Sequence, residues 1–238
     1  MRHVLLLDNK ITQKEFLAWK KEDVAFWKKY TNITPTYEVI RQDYSDYPTY
    51  VDSDNDIRPT EAYLQSLTDQ VVSKYGDYGT DFILVAIHET NWKSDTDFTK
   101  GIWGTNYSYL FGKQCLDYCR WDKDNSANTF GTMYHERHHS FDAIIKQETG
   151  VRIEPILDVE NYDREITHGK GEGWSYIRHK ENTDSLVTIA PHLRSAFAIR
   201  LKRHEDFINE KRSTILKLAT EAVYLLKMLL NKKNGVPR

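Results

Sequence analysis

With only two cysteines among 238 residues, the chain has no disulfide framework to rest on. Cys115 and Cys119 fall in one strand candidate, where four residues span about 13 Å and a disulfide cannot close; in a helix or turn they would meet. No stretch approaches the roughly eighteen uncharged apolar residues of a membrane span, so none is expected. The apolar run behind the start, Val4 to Leu7, is too short for a signal-peptide core, and a cytoplasmic location is expected. Nor is there an excess of charge: 33 basic against 35 acidic residues predicts no general affinity for nucleic acid.

What is abundant is aromatic. Fifteen tyrosines and six tryptophans argue for a globular chain with a full core. The patterning predicts one α/β domain over about 1–184 and a helical region over 185–238 packed on it. Val4 to Leu7 reads as a short buried strand. Thr12-Gln13-Lys14-Glu15 is a capping box opening a helix to about Tyr30, with Phe16, Trp19, Phe26, Trp27 and Tyr30 on one side. A second strand is expected over Thr36 to Asp43, with Tyr37, Val39 and Tyr44 alternating against polar neighbours. Asp52-Ser53-Asp54-Asn55-Asp56 starts like a calcium loop, but Ile57 and Tyr63 occupy its glycine and glutamate positions, leaving a solvated loop. Leu64, Leu67, Val71 and Tyr75 then mark a helix from about Glu61 that stops at Gly76. Phe82 to Ile87 is the most apolar strand candidate and is expected at the sheet centre, with His88 as a strand-end residue. Gly101 to Trp121 suits an edge strand or hairpin.

The stretch that carries chemistry is Thr129 to Asp142, which contains His135-Glu136-Arg137-His138-His139, an H-E-x-x-H pattern. Positions i and i+4 on a helix lie about 40° apart, so two imidazoles there can share one ion. Glu136 sits on the flank of that face, where its carboxylate can serve as a base without being a ligand. Asn128 or Thr129 is a candidate cap, and Gly150 suits a left-handed stop. An i, i+3 pair of His135 and His138 is an alternative, but it aims Glu136 poorly. Asp142, one turn beyond His139, is placed to orient a ligand from behind, or is simply a polar residue near the helix end.

The element order ending in this helix resembles the catalytic domain of zincin metallopeptidases, an α/β (α+β) fold with a mixed sheet and an antiparallel edge strand. The resemblance implies a zinc cofactor held by His135 and His139, with Glu136 as general base and a peptide or protein substrate paired along the edge strand. Asp142 and Ile145 occupy the glycine and third-histidine positions of the longer metzincin motif, excluding that class. His135 to Asp142 is similar to the HExxHGFD of neprilysin-like enzymes, with Ser140 replacing glycine and no downstream E-x-x-x-D evident. His168-Gly169, with Trp174 beyond, is similar to the segment supplying the third histidine in SprT-like proteases, at a longer spacing. His168 is the expected third ligand, with Glu160 the alternative as in Glu-ligated zincins. Tyr162, Tyr176 and His179 are candidate oxyanion donors.

In the C-terminal region Ile215, Leu218, Ala222, Leu225 and Leu229 follow an a/d pattern, expected to pack on the domain, with a homodimer seam as the alternative. From Arg194 onward eleven basic residues face four acidic ones, a net of +7, which suits the charged face of an amphipathic helix and leaves an anionic partner open. Three functional readings follow: a zinc peptidase, an inactive zincin-like protein that binds peptide or assembles, and a SprT-like protease recruited to DNA.

Overall fold

Alternating side chains of three consecutive apolar strands build two cores, one on each face of a single sheet. In the computed structural model, which describes residues 1–53, 56–93, 104–108, 113–122, 126–152 and 180–233, β1 (Arg2–Asp8) lies between β2 (Thr36–Gln42) and β5 (Phe82–His88). Leu5, Leu7, Phe82, Leu84 and Ala86 enter one core, while Val4, Leu6, Ile83, Val85 and Ile87 enter the other. A strand covered on both faces reads as an unbroken apolar run, which is why Phe82 to Ile87 shows no polar alternation.

The sheet order is β2-β1-β5-β7-β6, with β7 (Cys115–Trp121) parallel to β5 and β6 (Gly104–Ser108) antiparallel to β7 at the edge. The fold is therefore mixed α/β. Helix α1 (Gln13–Thr31) covers one face, behind the full capping box of Thr12 and Glu15. Helix α2 (Glu61–Tyr75) covers the other, capped by Thr60 and ended at Gly76, whose φ of 79° favours glycine. Both cysteines lie buried on β7, a strand on which their spacing closes no disulfide between them.

Several expectations are corrected. Val39, on β2 at the edge of the sheet, is exposed. Tyr44 lies beyond β2 and is buried, its hydroxyl donating to the Leu6 carbonyl at 3.2 Å. The acidic stretch near residue 52 connects two strands rather than leading straight into a helix: β3 (Thr49–Val51) and β4 (Ile57–Pro59) pair antiparallel on either side of it, and Arg58 pairs with both Asp52 and Asp56, leaving Ser53 exposed. Helix α3 (Ser126–Thr149) begins ahead of the expected Asn128 or Thr129 cap and ends as expected at Gly150, with φ 74°.

The largest correction is at the C-terminus. Helix α4 (Lys180–Lys233) is 54 residues long and starts before residue 185. Its first part packs as expected, burying Leu186, Ile189, Leu193, Ala196 and Phe197. The a/d residues from Ile215 to Leu229 do not pack on the domain. Ile215 is 65% exposed and Leu229 also 65%. At about 1.5 Å per residue the helix outruns the body it covers. None of the described helices is long and apolar enough to cross a membrane.

Two buried ionic networks fasten these layers. At the start of β5, Asp81 meets Arg2 and Arg200 at 2.9 and 3.0 Å; Arg200 also reaches Glu148 at the end of α3 at 3.1 Å. The Arg200 Nη2 donates to the carbonyls of Thr80 and Lys113. One guanidinium thus joins α4, α3 and the base of the sheet. Although burial alone would raise it, the Asp81 pKa is held below the usual carboxylate value by Arg2 and Arg200. The second network fixes the helix of the candidate site.

Candidate active site

Helix α3 leaves β7 after a short connection and packs against β7, the edge strand β6 and α4. His135, Glu136 and His139 fall in its middle. Helical backbone throughout Ser126–Thr149 places the two histidine positions one turn apart, the spacing at which two imidazoles suit the N-donor, tetrahedral preference of zinc. The side chains of His135, His138, His139 and Asp142 lie outside the described residues. So do Glu160, Tyr162, His168, Trp174, Tyr176 and His179 in their entirety. Among the described residues there is no group of three or more His, Cys, Asp or Glu that could hold a metal.

Glu136 is described, and it faces inward with 6% of its surface exposed. Burial pushes its pKa well above the usual carboxyl value, the Asp117 charge adds to this, and Arg58 opposes it. Asp117 is itself fully buried on β7, on the same face as Cys115, Cys119 and Trp121. The Tyr107 hydroxyl of β6 is pushed up to about 12, mainly by burial and then by Tyr50, with Glu136 acting in the same direction and Arg58 against. Glu136 therefore lies within electrostatic reach of the edge strand and of the β3–β4 hairpin.

What aims α3 is Arg137, the first of the two unspecified residues of the motif. It is fully buried, about 100° further round the helix than Glu136. Its Nη2 and Nη1 donate to the two oxygens of Asp23 on α1 at 2.6 and 3.1 Å. Its Nε donates to the Met133 carbonyl at 3.1 Å, and the guanidinium lies 5.1 Å from the Trp27 ring centre. Asp23 also accepts from Trp27 Nε1 at 3.1 Å and from the Tyr37 hydroxyl of β2. Burial disfavours the charge on Arg137, but Asp23 outweighs it and its pKa is raised.

His3 completes the cluster. It stacks between Tyr37 and Phe82 with ring centres 5.0 and 5.4 Å away, and its Nε2 lies 3.4 Å from Arg137 Nη1. Burial, then Arg137, lowers its pKa well below 6.5, so the ring stays neutral. His88 is the strand-end residue that the sequence suggests: it ends β5, with Nδ1 3.0 Å from Thr90 Oγ1.

Asp23, Arg137 and Asp117 escape a reading that follows only apolar residues. Their signal is a charge placed inside an apolar pattern. Asp23 continues the stripe Phe16, Trp19, Trp27, and Asp117 takes an inward position among Cys115, Cys119 and Trp121. A charged residue at such a position requires a buried partner. No family model matches the chain, and no curated protein or solved structure matches it either.

Proposed function

We propose that the chain is a zinc-dependent peptidase of the zincin kind. One observation carries the reading: His135, Glu136 and His139 occupy the middle of a helix that directly follows β7 and packs against the antiparallel β6–β7 pair, with Glu136 turned inward. An antiparallel strand at a sheet edge can align an extended peptide by backbone pairing, and β6 is such a strand. His135 and His139 would hold the metal, with His168 or Glu160 as the third protein ligand. Zinc when bound acts as a Lewis acid toward the scissile carbonyl and makes water acidic enough to serve as nucleophile near neutral pH.

The chain's own residues do the remaining work. In its ionised form Glu136 would take the proton released as the water attacks and hand it to the leaving amine. Its inward position screens that carboxyl from bulk water. Arg137, clamped to Asp23, fixes the rotation of α3 and is a positioning residue, as small displacements of a catalytic group are costly. The test compares His168→Ala with Glu160→Ala by zinc affinity of the folded proteins. His168→Ala is expected to lose at least ~10-fold more affinity, because it removes a ligand rather than its support. The reverse ranking moves the site to the Glu-ligated class. A wild-type chain that neither carries zinc nor takes it up contradicts the proposal.

A further inference from the structure

The overhanging half of α4 plays no part in the chemistry above. Phe207 is seated against Gly76, where an added Cβ would come within 2.7 Å of its ring. Farther along, Ile215, Leu218, Ala222, Leu225 and Leu229 repeat at three- and four-residue spacing, and the four larger side chains are 58% to 65% exposed. Leu216 and Leu230 widen this row at 68% and 57% exposure. Eight aliphatic side chains between residues 215 and 230 are at least half exposed. At roughly 100 Å² each they present about 800 Å², more than the largest apolar patch of most monomers. That is also about the area each partner contributes to a standard stable interface.

We propose that α4 is a self-association helix, in which residues 215–230 of one copy of this chain pack against the same residues of a second copy. The heptad spacing suits a helix–helix seam. The opposite face argues against a lipid surface as the occupant. It carries Tyr224 and Met228, and between residues 215 and 230 only Lys217, Glu221 and Lys227 are charged, whereas an interfacial helix keeps a strongly charged face toward water. Basic pairs bracket the row, Lys211-Arg212 before it and Lys232-Lys233 after it. Parallel or antiparallel, two copies bring like charges together at the ends. Apolar burial must therefore drive the contact, and salt strengthens it by screening that repulsion.

Sedimentation of the full chain at a series of micromolar concentrations, in low and high salt, reads this out. Wild type is expected to form a dimer or larger assembly that tightens with salt. Leu218→Glu with Leu225→Glu should raise the dissociation constant roughly 100-fold or more, while Lys217→Gln on the other face leaves it unchanged. Both positions are exposed, so far-UV circular dichroism should match wild type. A wild-type monomer at every concentration overturns the proposal, as does a double variant that associates as wild type does. Association that weakens with salt, or a solution monomer that co-sediments with phosphatidylglycerol vesicles, overturns it in favour of an anionic partner.

Discussion

Replacing Asp23 by alanine removes the carboxylate that four donors share: two buried guanidinium nitrogens of Arg137, the buried Trp27 indole and the partly buried Tyr37 hydroxyl. Arg137 is then a fully buried cation without its counter-ion, at a cost of about 3–5 kcal/mol. The two neutral donors add roughly 1 kcal/mol or more each, less whatever relaxation recovers. Asp23→Ala should therefore cost at least ~4 kcal/mol, a large fraction of the ~5–15 kcal/mol of a typical domain. Arg137→Met should cost less, about 3 kcal/mol, because Asp23 keeps Trp27 and Tyr37. In the double variant no unpaired charge remains, so it should be more stable than Asp23→Ala alone. Urea unfolding, followed by circular dichroism and tryptophan fluorescence, gives all four free energies if the two transitions coincide. Costs that simply add, or an Asp23→Ala cost below ~1 kcal/mol, would refute the claim that this pair clamps α3.

The neutral, buried His3 makes stability pH-dependent in a defined direction. Its folded pKa lies below its ordinary 6.5, so below pH 6.5 the unfolded chain binds a proton that the folded chain refuses. Its contribution is fully present above that value and is lost as pH falls below it. Between pH 7 and 5.5, wild type should lose roughly 1 kcal/mol more than His3→Gln in urea titrations, and identical profiles would contradict this. Gly76 and Gly150 both have positive φ, but an added Cβ meets the Phe207 ring only at Gly76 and nothing within 4 Å at Gly150. Gly76→Ala should therefore destabilise by more than the ~1 kcal/mol expected for Gly150→Ala, and equal costs would show that Phe207 gives way freely.

Much of the fold is legible in the sequence because its signals are local. The capping box at Thr12, the glycine stops after α2 and α3, and the unbroken Phe82 to Ile87 run each state an element and one of its ends. The sheet edge is legible only as a choice, since Gly101 to Trp121 suits an edge strand or hairpin, and β6 pairs antiparallel with β7 there. The reading fails where distant residues decide. Tyr44 looks like a continuation of β2, but its hydroxyl is buried against the Leu6 carbonyl. Ile215 and Leu218 look like core residues, and periodicity says which face is apolar but not what covers it. Of the site, the H-E-x-x-H spacing is local and legible. The clamp that orients it joins residues 23 and 137, a contact only tertiary packing reveals.

The central claim concerns Glu136. Glu136→Gln keeps the size of the side chain and its fit in α3, and leaves His135 and His139 untouched, but removes the carboxylate that accepts a proton. Wild type and this variant are to be compared for turnover of a mixed peptide library, with zinc content recorded for each. Equal zinc, with hydrolysis lowered roughly 100-fold or more in the variant, is the predicted result. Equal hydrolysis by both, or none by wild type at full zinc occupancy, would contradict it.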